Sequence, residues 1–115
     1  MQVSGPNIIQ QSATIASGGS LSSAIDIGNA KLVGIQMPSS WTAASLTFQA
    51  SYDGLTYADL YDNGTERAYT VSSSRFLALN VADWLGVRWL KIRSGTSAAP
   101  TNQGADRSIK LVLQP

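Results

Sequence analysis

Short runs in which apolar and polar residues alternate, each closed by Gly, Asp, Asn or Ser, recur along this chain at a spacing of roughly 8–12 residues. This period of two restricts the possible folds more than any other feature. In the clearest run, Leu46, Phe48 and Ala50 fall on one side, and Ser45, Thr47, Gln49 and Ser51 on the other. Leu21, Ser23, Ile25 and Ile27 share a face in an earlier run. Over 31–37, Val33, Ile35 and Met37 share one side, and Gly34 leaves room on the other. Asp53-Gly54 is a strong hairpin signal, with a return strand over 56–61; Asp62-Asn63-Gly64 is a second tight turn. Further strands are predicted over 67–71, 75–79, 87–93 and 107–113, the last with Ile109, Leu111 and Leu113 inward. Only 80–85 breaks the rhythm: Asn80 can cap one helical turn carrying Val81, Trp84 and Leu85, and Gly86 stops it. The pattern predicts an all-β, antiparallel sandwich or barrel with one short helical turn, and argues against a parallel α/β fold.

At 115 residues the chain has the size of one domain. Residues 1–11 read as an extended N-terminal arm and 12–115 as the β-sandwich domain. Ile8 and Ile9 sit together in that arm. Either a partner orders the arm by contacting them, or the arm is a first strand of its own sandwich.

Composition removes whole classes of chemistry. His and Cys are absent, which excludes disulfides, thiolate nucleophiles, Ser-His catalysis and zinc held by Cys or His. Asp53, Asp59, Asp62 and Asp83 lie beside turns or a helical start, where carboxylates cap backbone N–H groups. Asp62-Asn63-Gly64-Thr65-Glu66 has calcium-like composition without the spaced ligands of a calcium loop. Gly18-Gly19-Ser20 lacks the Lys and helix of a phosphate loop. The expectation is a protein that is not an enzyme and takes no cofactor or metal. A net charge of +1 supplies little of the attraction that nucleic-acid binding needs. The start of the chain does not read as a signal peptide, no run suits a membrane helix, and Asn63-Gly64-Thr65 reads as a turn rather than a glycosylation site. Charged residues make up only 13%, replaced by 16 Ser and 8 Thr. Such a surface suits a chain packed against neighbours.

The residues most suited to contact are Trp89, Lys91 and Arg93, which alternate along one strand. With Arg88, Leu90 and Ile92 facing inward, that row forms a contact surface for a neighbouring subunit. A covering loop or sheet, or a reversed register with Trp89 in the core, would remove it. Trp41, at an end of the sandwich, is the candidate for stacking on a sugar ring. Trp84 reads as a core plug.

The hairpin Leu46-Thr47-Phe48-Gln49-Ala50-Ser51-Tyr52-Asp53-Gly54-Leu55-Thr56-Tyr57 resembles one in discoidin-like, galactose-binding-like jelly rolls. Val87-Arg88-Trp89-Leu90-Lys91-Ile92-Arg93 resembles their later strand. The disulfide and long sugar-binding loops of the secreted members are missing. This resemblance implies a jelly-roll sandwich. Residues 41–113 also resemble small proteins encoded by phages and prophages of Gram-negative bacteria. Ile35-Gln36-Met37-Pro38, Ser51-Tyr52-Asp53-Gly54 and Leu90-Lys91-Ile92-Arg93-Ser94-Gly95-Thr96 carry that likeness. It implies a virion structural protein made in the host cytoplasm, foremost a capsid decoration or cement protein. Its implied partners are the major capsid protein or other virion proteins, and its own copies as a trimer. The alternatives are a tail or baseplate component, or a carbohydrate-binding module recognising a cell-surface glycan.

Overall fold

The computed structural model describes residues 8–115. Two four-stranded antiparallel sheets pack face to face. One contains β1 (Ile9–Ile15), β10 (Arg107–Gln114), β3 (Lys31–Gln36) and β8 (Phe76–Ala78), in that order. The other contains β2 (Ile25–Asp26), β9 (Trp89–Ser94), β4 (Leu46–Ser51) and β5 (Ala58–Asp59). A two-stranded ribbon, β6 (Tyr61–Asp62) with β7 (Thr65–Glu66), stands apart from both. Among the described residues helix is confined to one 3-10 turn, Val81–Trp84, capped by Asn80, whose Oδ1 accepts from the Ala82 N–H at 3.2 Å. No described helix is long and apolar enough to cross a membrane. The fold is therefore the all-β, antiparallel sandwich that the alternating runs predict.

The core lies between the sheets, where the alternation places its apolar sides. Ala13, Ile15, Leu32, Ile35, Ile109, Leu111 and Leu113 come from one sheet, and Leu46, Phe48, Leu90 and Ile92 from the other; all are fully buried. Trp84 plugs one end of this layer. Phe48 meets the Trp84 ring edge-on at 4.8 Å between centroids, and the Tyr69 ring at 5.8 Å. Such edge-to-face pairs add to the area term.

The run over 21–27 shortens to β2, and the return strand over 56–61 splits between β5 and β6. Three further details depart from the sequence reading, each for a local reason. The expected arm over 1–11 is too long, because Ile9, Gln10 and Gln11 already pair with Leu113, Val112 and Leu111 as the start of β1. Residues 1–7 lie outside the described residues. The alternation in β3 is interrupted: Leu113 opposes Leu32 and Val112 opposes Gly34, so one residue of β3 is extra. This β-bulge turns Leu32 into the core in place of Val33, which is only half-buried. The strand expected over 67–71 is reduced to a single bridge between Tyr69 and Leu46.

One loop residue ties the sandwich end together. Gln103, 1% exposed, accepts from the Thr42 N–H (2.9 Å) and from Arg107 Nε (3.0 Å) through Oε1. Its Nε2 donates to the Thr42 carbonyl (3.0 Å) and to Ser94 Oγ (2.7 Å). A buried amide with all these bonds made ties its own loop and the Thr42 loop to the ends of β9 and β10.

Phe48→Ala should cost about 3–5 kcal/mol in chemical denaturation, the usual range for a core aromatic. A loss below about 1 kcal/mol would mean that Phe48 does not join the two sheets.

Candidate functional site

The outer face of the sheet β2–β9–β4–β5 is the candidate contact surface. Leu90 and Ile92 point into the core, so Trp89, Lys91 and Arg93 turn outward, as the alternation predicts. On β4 they stand opposite Ser51, Gln49 and Thr47. The row is thus assembled as expected, but its three members are not equally available.

Arg93 is not a free cation. Its side chain is only 6% exposed, and its guanidinium pairs with Asp59 and, at 3.4 Å, with Glu66. Glu66 also accepts from the Ser97 N–H at 3.1 Å, which fastens the β6–β7 ribbon to the 94–101 loop. Burial of an arginine requires such partners. As a contact residue Arg93 is replaced by its role as an internal clamp, held by carboxylates of β5 and β7.

Lys91 and Trp89 are half-buried, and each takes part in a cation–π contact. Lys91 Nζ lies 4.4 Å from the Tyr57 ring centroid, and the Arg88 guanidinium 4.5 Å from that of Trp89. Arg88 does not face the core with Leu90 and Ile92; it precedes β9 and pairs with Asp26 at 3.3 Å. That hydrogen bond, followed by one from the Gly28 N–H, holds the Asp26 carboxyl below its ordinary value.

Over Trp89 sits the turn after β4. The hairpin expected at Asp53-Gly54 forms, but with a longer loop, because the Asp53 carboxylate organises it. Its Oδ1 accepts from the Leu55 N–H at 2.9 Å, the Thr56 N–H at 3.1 Å and Ser51 Oγ at 2.9 Å. These bonds, that from Leu55 foremost, lower the Asp53 pKa. Gly54 adopts φ +77°, and a Cβ there would stand 2.9 Å from Trp89 Cε2. Only glycine fits both that backbone and that approach.

This turn raises two side chains that the sequence reading did not single out. Tyr52 is 80% exposed and Leu55 86% exposed. A shallow depression of about 280 Å³ runs beside Tyr52, lined by Ala50, Thr56, Ala58, Gly86 and Val87. Leu85, also exposed, belongs to the adjoining loop. The available signal was an apolar residue on each side of a turn whose geometry points both outward.

The remaining candidates lie elsewhere. Ile8 and Ile9 are exposed at the start of β1, on the edge of the other sheet. Trp41 is half-buried against the core, and its Nε1–H donates to the Ala44 carbonyl at 3.1 Å. Beneath the Phe48 cluster, the Tyr69 hydroxyl and the Trp84 indole N–H are buried without a partner of good hydrogen-bond geometry. Burial pushes the Tyr69 phenol up. Among the described residues, no three acidic side chains gather as a metal site would require. No protein-family model matches the chain, and no curated protein matches it.

Stability should be nearly flat from about pH 5 to 8, since no histidine titrates there. Below that range it should fall. The lowered Asp26 and Asp53 carboxyls stabilise the fold above their ordinary value of 3.8, and that contribution disappears as pH drops through their lowered values. Thermal melts across pH check this; a transition near pH 6 would contradict it.

Proposed function

We propose that this protein is a non-enzymatic structural component of a phage virion, foremost a capsid decoration or cement protein that binds the shell. The observation that carries the reading is the pair Tyr52 and Leu55, held almost bare on a turn made rigid by Asp53. Large apolar groups on a fixed scaffold make good contact anchors, because little ordering entropy is lost when they are covered. The charges around them are already engaged: Arg93 with Asp59 and Glu66, and Arg88 with Asp26. Contacts made here are therefore mostly neutral and individually weak. On a symmetric shell they are multiplied, which raises the overall strength of attachment without new chemistry.

The strand order supports the jelly-roll reading: the first four strands alternate between the sheets, β1 to β2 to β3 to β4. The resemblance to small phage proteins supplies the partners, namely the major capsid protein or other virion proteins, and the location, the virion after synthesis in the host cytoplasm. A tail or baseplate component would use the same anchors and differ only in where it sits. A carbohydrate-binding module is less favoured, because Trp41 is half-buried and its N–H is already bonded.

The test is binding to intact particles of the phage whose genome encodes the chain. The double variant Tyr52→Ser, Leu55→Ser should melt like the parent protein and lose at least about tenfold in affinity for the particle. Unchanged particle binding would remove these anchors from the interface. Binding to a glycan array with none to particles would replace the virion reading altogether.

A further inference from the structure

The edges of the two sheets are not alike. β2 and β5, at the margins of one sheet, have two residues each, and β8, at a margin of the other, has three. The remaining edge, β1, has seven. A long edge presents a row of unpaired N–H and C=O groups, which proteins usually blunt with charge, proline, a bulge or a covering segment. Among the described residues β1 has none of these. Its sequence, Ile9-Gln10-Gln11-Ser12-Ala13-Thr14-Ile15, has no charge and no proline. Its pairing with β10 runs unbroken from Ile9–Leu113 to Ile15–Arg107, and the bulge lies on the far side of β10, against β3. No described residue outside β10 makes a hydrogen bond to the backbone of β1. The neutrality extends further, because the first charged residue of the chain is Asp26.

We propose that β1 pairs antiparallel with β1 of a second copy across a two-fold axis, joining two four-stranded sheets into one of eight strands. An antiparallel strand that meets its own copy is complementary by symmetry, since residue i opposes j wherever j opposes i. With the axis at Ser12, Ile9 opposes Ile15, Gln10 opposes Thr14 and Gln11 opposes Ala13. Residues 9, 11, 13 and 15 of both copies then stay on the core side of the extended sheet, where Ala13 and Ile15 are already fully buried. Ile9, 41% exposed at the bare start of the edge, gains the partner's Ile15 as a cross-strand neighbour. β1 itself brings no like charges together; the nearest cation is Lys110 of β10, whose Nζ donates to Ser12 Oγ at 3.1 Å in each copy. The neighbouring edge of the other sheet differs, because Asp26 on β2 and its partner Arg88 set charge there. This surface therefore fits a second copy better than a strand of unrelated sequence. The symmetry is two-fold, where shell geometry alone suggests a trimer. One paired edge covers less than the roughly 1,200–2,000 Å² of a stable complex, so the dimer should form at high concentration, or where a lattice holds copies side by side. The inference stands on the isolated chain and does not depend on the virion reading.

Sedimentation velocity of the full chain from about 10 µM to about 1 mM should show a concentration-dependent dimer. Ser12 is exposed, so its substitution leaves the core intact. Ser12→Lys, and Ser12→Glu combined with Lys110→Gln so that no cation offsets the glutamate, each place like charges opposite one another across the axis, and each should weaken self-association at least about tenfold. Mixing the two variants should restore dimers, as heterodimers. Four results would overturn the proposal. The parent protein could stay monomeric throughout. Both variants could dimerise as well as the parent. The mixture could fail to recover. Dimers could appear only after removal of residues 1–7, which would mean that the chain's own N-terminal segment occupies the edge.

Discussion

Closure of the two sheets over Phe48 is the interaction on which the other features depend. Phe48 sits at the middle of β4, flanked edge-on by Trp84 from the 3-10 turn and Tyr69 from the segment bridged to Leu46. Those two rings come from the irregular half of the chain. Packing them on one strand fixes where residues 67–84 must run, and that path sets the start of β9. Without cysteine, a small domain has only such burial and its hydrogen bonds to hold loops in place. Gln103 serves the opposite end in the same way, with polar bonds in place of aromatic contact.

From that closure the character of the surface follows. Once Leu90 and Ile92 are inside, Trp89, Lys91 and Arg93 must be outside. Their charges are then absorbed by near neighbours: Arg93 by two carboxylates, Lys91 by the Tyr57 ring, and Arg88 by Asp26 and the Trp89 ring. What is left for other molecules is chiefly apolar or neutral. Two different kinds of contact remain, the side chains Tyr52 and Leu55 on a stiff turn and the backbone edge of β1. One offers hydrophobic anchors and the other hydrogen bonds, so they can serve different partners at the same time.

The regular strands are legible because alternation reports directly which side of a strand is buried. β10 follows it residue by residue, and β4 and β9 follow it at Leu46, Phe48, Leu90 and Ile92, although neighbours also cover Thr47 and Arg93 on the outer side. The 3-10 turn was legible through Asn80 and the spacing of Val81 and Trp84. Alternation misplaces Val33 because a bulge shifts it by one residue, and nothing local to β3 announces the bulge; it arises from the pairing with Val112 and Leu113. Arg93 read as a surface cation because its carboxylate partners, Asp59 and Glu66, lie 34 and 27 residues away in sequence. Tyr52 and Leu55 carry no alternation signal, because a period of two says nothing about which way a loop side chain points. The polar Gln10 and Gln11 lengthen the apparent arm, although an edge strand needs only one apolar face.

Native-state amide hydrogen exchange tests the sheet closure most directly, because it reports which backbone bonds open only when the whole molecule unfolds. The slowest amides should lie in β4, β9, β10 and β3, around Phe48, Ile92, Leu111 and Ile35, and should exchange at one common rate set by global unfolding. The β6–β7 ribbon should exchange much faster. Equal protection of the ribbon and β4, or separate opening of the two sheets at different free energies, would contradict a molecule held together by their contact over Phe48.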